Sequence, residues 1–193
     1  MIKFSKKNSR IETERLILRQ PNKADIKDII RNLNDLEVSK WMAAIPYPYT
    51  RKDVLWFINH AREKAKAKPR IGYNFWIELK ETGEVIGGIG MGIKLDQGTG
   101  SLGYWLGRSY HRKGYGSESL KALLDLAFRR LKIRRLEAEV YPGNPSSAKL
   151  LKKFGFKREG YRREAHICKA DGKIKDSICY ALLKREYKPW RRK

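Results

Sequence analysis

The sequence predicts an α/β protein of the α+β kind, built on a mixed, mostly antiparallel central sheet with one parallel strand-helix-strand crossover. Three stretches carry this expectation. Leu102, Tyr104 and Leu106 recur at every second position, as on one face of a strand. Gly114 and Gly116 interrupt the alternation, and Leu120, Leu123, Leu124, Ala127 and Leu131 follow at helical spacing. A second alternation at Leu136, Ala138 and Val140 completes the unit, which implies a parallel pair or a close relative of one.

Before this unit, Thr13 to Gln20 alternates Leu16 and Leu18 against Arg15 and Arg19 and reads as a first strand. Asn22 suits the cap of a helix running to about Leu33, with Ile26, Ile29 and Ile30 inward. An aromatic, proline-bearing loop from Trp41 to Tyr49 leads to Thr50, the predicted cap of a helix from Arg51 to about Ala67 with Val54, Phe57, Ile58 and Ala61 on one face. Tyr73–Leu79 and Val85–Leu95 read as strands joined by a Glu81-Thr82-Gly83 turn, and Gln97-Gly98-Thr99-Gly100 turns into the Leu102 strand. Gly87, Gly88 and Gly90 mark places where another backbone or a ligand comes close. Asn144 with Pro145 opens a further helix and Gly155 closes it. Arg158–Ile167 and Ile174–Leu183 then form a closing hairpin.

A chain of 193 residues, 41% apolar, fits one domain with a core of its own. No internal repeat or linker divides it, so residues 1–10 are expected as a basic arm, 11–187 as the domain, and 188–193 as a basic tail that Trp190 pins. No run of about 18 apolar residues occurs and MIKFSKKNSR lacks the apolar stretch of a signal peptide, which predicts a cytoplasmic protein without a membrane partner.

Cys168 and Cys179 are expected to stay apart. An Asp171-Gly172 two-residue turn places Cys168 opposite Lys175 and Cys179 opposite Glu164, an offset of about 13 Å along a strand against a bridgeable separation under about 7 Å. His60, His111 and His166 are scattered and pair with no cysteine at ligand spacing, so no metal is expected.

Forty-four Lys and Arg against 21 Asp and Glu give a net charge of +23. The excess clusters at 129–135, 149–163 and 184–193. Two readings stand: a solvated surface with a phosphate site, or residence near a polyanion such as ribosomal RNA. No nucleic-acid-binding signature accompanies the charge, which opposes a strongly cationic acceptor such as a polyamine.

The loop Arg112-Lys113-Gly114-Tyr115-Gly116-Ser117 lies just before a helix, where unpaired N–H groups and the positive dipole end suit a phosphate. Set between a GYW strand and a helix, it resembles the acetyl-CoA-binding motif of the GNAT N-acetyltransferases. Asn144-Pro145-Ser146-Ser147, Lys153-Phe154-Gly155-Phe156, Glu159-Gly160, Asp171-Gly172 and Asp176 are similar to the RimJ/RimL branch, which acetylates protein N-terminal amines. With Thr13-Glu14-Arg15-Leu16, the resemblance spans roughly residues 11–187.

This resemblance implies a GNAT fold, acetyl-CoA as cosubstrate, and a peptide or protein amine as acceptor, such as the N-terminus of a ribosomal protein. It implies a cofactor site at Leu106, Arg112, Lys113, Gly114, Tyr115, Gly116, Ser117, Asn144 and Ser147, with Ser147 and Asn144 catalytic. Asn144 has a capping role in any case; the family adds contact with the pantetheine arm or a nearby water. Ser147 matches the serine thought to serve the departing CoA thiolate, unless it only caps its turn.

The sequence also departs from the family. Leu151 stands where many members carry a tyrosine acid, Ser101 where RimJ-like chains often carry a glutamate, and His111 where Gln or Arg is usual and a phosphate partner is possible. The amine must lose a proton before it attacks, and its base is unassigned between Glu78 and Tyr104, Glu78 also suiting a plain solvent-facing position. Trp41, Tyr47 and Trp56 read either as core and loop anchors or as the flank of an acceptor groove. The alternative function is a GNAT-fold module that binds acetyl-CoA or RNA without turnover.

Overall fold

A computed structural model of the protein describes residues 2–5 and 10–189. Near the N-terminus three strands follow one another: β1 (Lys3–Ser5), β2 (Arg10–Glu12) and β3 (Leu16–Arg19). The expected strand from Thr13 is shorter because Thr13 makes the turn itself. Its backbone N–H donates to the Leu16 carbonyl at 3.0 Å, and its hydroxyl oxygen accepts the Leu16 N–H at 3.0 Å. Part of the expected basic arm thus enters the sheet as β1; the expected Trp190 anchor lies outside the described residues.

Asn22 caps a 3₁₀ turn, Lys23–Asp25, that leads into α1 (Ile26–Leu33), and a short α2 (Leu36–Ser39) follows. Thr50 and Asp53 form a reciprocal capping box on α3 (Arg51–Lys66). These helices bury Ile26, Ile29, Leu33, Val54 and Ile58 against Trp76 and Val85 on one face of the sheet. Each such side chain contributes about 1.5–3 kcal/mol on burial.

The meander β4 (Gly72–Leu79), β5 (Val85–Lys94) and β6 (Thr99–Leu106) is antiparallel throughout. Its glycines make room for the protein itself: a Cβ on Gly87 would lie 2.4 Å from the Trp105 backbone carbonyl, as expected of a close backbone, one on Gly88 2.6 Å from Trp105 Nε1, and one on Gly90 2.7 Å from Asn74 Oδ1. From β6 the chain crosses through α4 (Tyr115–Leu124), which runs on as a π-helical segment over Asp125–Arg130, to β7 (Arg135–Val140). β7 pairs parallel with β6, as the crossover predicts. Leu120, Leu123, Ala127, Leu136, Ala138 and Val140 all enter the larger core cluster.

The chain ends with α5 (Pro145–Lys153), β8 (Lys157–Ile167) and β9 (Ile174–Leu183). Strand order among the described residues is β1-β2-β3-β4-β5-β6-β7-β9-β8. The closing hairpin departs from the expected register: His166, not Cys168, faces Lys175, and Cys179 faces Gly160 rather than Glu164. A wider turn shifts the pairing by two residues, and a bulge between Arg162 and His166, where Glu164 has φ 50°, shifts Cys179 by two more; the wider turn has a tertiary cause. Cys168 is fully buried, its Sγ 3.6 Å from the carbonyls of Lys40 and Met42, and Lys169 N–H donates to Ala43 at 3.1 Å. This docking draws residues 168–173 out of the ladder into a wider turn, closed by Gly172 at φ 67°. Both cysteines are free thiols. Among the described residues no helix is long and apolar enough to cross a membrane.

Candidate active site

The crossover opens a cleft. β6 and β7 pair only at Thr99↔Arg135, Gly100↔Leu136 and Ser101↔Glu137; past these, each strand continues without the other. The free half of β6 carries Tyr104 and Leu106, and the end of β7 leads through Tyr141 to Asn144 and α5. At the exit of β6, Gly107 is obligatory, since a Cβ there would stand 2.2 Å from Asn32 Oδ1. His111 Nε2 is 2.9 Å from the Leu106 carbonyl. A carbonyl only accepts, so this nitrogen carries a proton and ties the loop to the end of β6.

The glycine loop is shaped for an anion. Arg112 and Gly114 adopt left-handed conformations, φ 61° and 85°. No N–H group of residues 112–117 has a hydrogen-bond partner among the described residues; the first to bond is that of Glu118, which donates to the Gly114 carbonyl at 3.0 Å. Arg112 and Lys113 are exposed beside these donors. Such a row of amides at the positive end of α4 attracts phosphate.

The loop is braced from behind by a contact absent from the sequence reading. Glu118 accepts from the Thr13 hydroxyl at 2.6 Å, from the Arg15 N–H at 2.8 Å and from Arg15 Nε at 2.8 Å. Arg15 also donates to the Lys113 carbonyl at 3.0 Å and lies over the Tyr115 ring, 4.6 Å from its centroid. Burial pushes the Glu118 carboxyl up, but the bonds from Thr13 and Arg15 outweigh it and hold the group below the ordinary carboxylate range. The Thr13-Glu14-Arg15-Leu16 motif therefore acts as a clamp on the loop. The available signal was a carboxylate in the first helical turn, but its partners lie about a hundred residues away in sequence.

On the cleft's other wall, Asn144 Oδ1 accepts the Ser147 N–H at 3.1 Å, the predicted cap. Ser147 Oγ lies 2.8 Å from the Tyr104 hydroxyl. Burial pushes that phenol up to about 12, offset in part by the Ser147 bond, so at neutral pH it is a proton donor. This corrects the candidacy of Tyr104 as the base. α5 also meets the glycine loop: a Cβ on Gly116 would lie 3.4 Å from Leu150 and 3.6 Å from Leu106, and Lys153 Nζ donates to Ser117 Oγ at 3.3 Å. Leu106 and the glycine loop thus pack against α5, the helix that Asn144 caps and that carries Ser147, while Leu151 is buried in the core.

Glu78 is not solvent-facing as its plain reading expected. Its side chain is 16% exposed and accepts from Arg19 Nε, and Arg19 in turn donates to both oxygens of Asp25 at 2.8 and 2.7 Å. That ion cluster occupies the carboxylate. Tyr47 and Trp56 are exposed, so neither is a core anchor, and Trp56 stacks on His60 at 4.9 Å. Trp41 is half-buried, its ring 3.6 Å from a Cβ position on Gly143 just before α5.

Residues 15–157 match the family described as Acetyltransferase (GNAT) domain. The chain is 37% identical over 178 residues to the uncharacterized N-acetyltransferase p20 of Bacillus licheniformis, covering 91% of this chain and 96% of that one. It is 33% identical over 90 residues to the [ribosomal protein uS5]-alanine N-acetyltransferase of Escherichia coli, 47% of this chain and 45% of that one. Among solved structures, Mycobacterium smegmatis RimJ in complex with CoA-disulfide superposes with a TM-score of 0.76 at 24% identity, over 89% of this chain and 83% of that one.

Proposed function

The chain belongs to the GNAT acetyltransferase family, and on that premise we propose that it transfers the acetyl group of acetyl-CoA to the N-terminal amine of a protein. The observation that carries this reading is the row of N–H groups from Arg112 to Ser117 without partners among the described residues, with the Arg112 and Lys113 cations beside it at the head of α4. Such donors fit the diphosphate of CoA, the molecule in whose disulfide form the RimJ structure was solved. Leu106, Gly114, Tyr115 and Gly116 line that grip, and Arg112, Lys113 and Ser117 add polar contacts.

With the diphosphate held there, the thioester arm runs along the cleft between β6 and β7 toward Asn144 and Ser147. Asn144 Nδ2 contacts the pantetheine arm, while its Oδ1 fixes the first turn of α5. Ser147, with the Tyr104 phenol behind it, donates a hydrogen bond to the departing thiolate. A thiolate is a good leaving group and needs little more. The likeness to the uS5-alanine enzyme and the net charge of +23 support an acceptor on a ribosomal protein, met in the cytoplasm near RNA, by a catalytic domain over residues 11–187.

Intact-mass analysis of N-terminal peptides and ribosomal proteins incubated with the protein and acetyl-CoA tests this. A gain of one acetyl group, lost on blocking the α-amine, is the expected result. Tight acetyl-CoA binding with no acceptor modified would leave a binding module instead.

A further inference from the structure

Resting on the acetyl-transfer reading, we infer that His166, oriented by Glu139, is the base that takes the proton from the incoming amine. β7 sends Leu136, Ala138 and Val140 into the core and Glu137 and Glu139 to the opposite face. There Glu139 gathers groups from two further strands. Its Oε2 lies 2.6 Å from His166 Nε2 on β8 and accepts from Ser177 Oγ on β9 at 2.7 Å, and its Oε1 accepts from Arg162 Nη1 at 2.6 Å.

The arrangement fixes the imidazole. Burial pushes the Glu139 carboxyl up, but the bonds from His166 and Ser177 and the Arg162 charge outweigh this and keep it ionised. A carboxylate only accepts, so Nε2 carries the hydrogen and Nδ1 is left as the nitrogen that can take a proton from an acceptor. His166 is 30% exposed, open to an acceptor. The other groups facing it are Lys175, its register partner, which is bound to Asp171 at 2.7 Å, and Tyr141.

Tyr141 joins this cluster to the cleft. Its ring lies 5.9 Å from that of His166, and its carbonyl accepts the N–H of Asn144, the cap of the Ser147 helix, at 3.1 Å. Its hydroxyl is buried and has no partner among the described residues, as a group awaiting a ligand would be. Because β6 and β7 part beyond Ser101 and Glu137, no backbone ladder closes the sheet between them there. An amine arriving on the His166 face meets a thioester lying between the two strands. Neither earlier candidate is available, since Glu78 is bound to Arg19 and Tyr104 is held as a protonated phenol.

In the step itself the ammonium gives one proton to Nδ1, which passes it to solvent. The freed lone pair forms the carbon–nitrogen bond, the carbon–sulfur bond breaks, and the second N–H proton lost by nitrogen balances the one gained by sulfur. The products are the amide, CoA thiol and one released proton.

The test measures CoA release at saturating acetyl-CoA with an N-terminal peptide panel, and acetyl-CoA affinity by calorimetry, for wild type, His166→Gln and His166→Ala. We expect unchanged acetyl-CoA affinity, a loss in kcat of about 100-fold or more for both variants, and partial rescue of His166→Ala by added imidazole. His166→Gln within threefold of wild type overturns the inference, as does a loss of acetyl-CoA affinity parallel to the loss of rate. A wild type that binds acetyl-CoA and acetylates no peptide overturns the acetyl-transfer reading, and this inference with it.

Discussion

The Tyr104 hydroxyl lies 2.8 Å from Ser147 Oγ, joining the free end of β6 to the first turn of α5 across the cleft. If the pair serves the leaving thiolate, Ser147→Ala lowers kcat by about 10- to 100-fold and Tyr104→Phe by less, since the phenol acts through the serine. Steady-state kinetics should show acetyl-CoA KM nearly constant in both. A fall in KM-limited rate alone would mean that the pair only binds.

Tyr104 also makes an alkaline prediction. Its folded pKa, about 12, is raised above the unfolded value near 10. Between these values the unfolded chain has lost a proton that the folded chain retains. The stability contributed by the buried neutral phenol is therefore fully present below pH 10 and is lost as pH rises from 10 toward 12. Thermal melts of Tyr104→Phe should show a shallower decline over that window than wild type.

Glu118 titrates in the opposite sense. Its folded pKa is depressed, so its contribution is present above the ordinary carboxylate range and lost as pH falls through the folded value. Glu118→Gln keeps the shape but weakens bonds to Thr13 and Arg15. We expect a stability loss of about 1–3 kcal/mol, with weaker acetyl-CoA binding because the loop loses its brace. A chemical-denaturation series and calorimetry on the same variant check both effects.

Gly114 is the position where the loop tolerates a side chain least. Its φ of 85° disfavours any L-residue by roughly 1–2 kcal/mol, and a Cβ would stand 3.1 Å from Arg15 Nη2. Gly114→Ala should therefore lower acetyl-CoA affinity by about tenfold or more, with far-ultraviolet circular dichroism unchanged. An unaltered affinity would show that the loop conformation is not needed for binding.

The crossover was legible because its signals are local. Alternation at Leu102–Leu106, helical spacing from Leu120 to Ala127 and alternation at Leu136–Val140 each reflect burial of one face. The caps at Asn22, Thr50 and Asn144 were legible for the same reason, being bonds within three residues. What escaped depends on distant partners. The Asp171-Gly172 turn has the right residues for a tight hairpin, yet Cys168 is claimed by the 40–43 segment. Glu118 acquires its role from Thr13 and Arg15, and His166 from Glu139, neither of which any spacing along the chain announces.

The central claim is that the amides of residues 112–117 grip the diphosphate of CoA. Titrating ¹⁵N-labelled protein with acetyl-CoA reads those amides one by one. The account predicts that their resonances move downfield together, saturating with the calorimetric affinity, while amides of the Trp56 face stay still. Saturable binding that leaves residues 112–117 unshifted would contradict it.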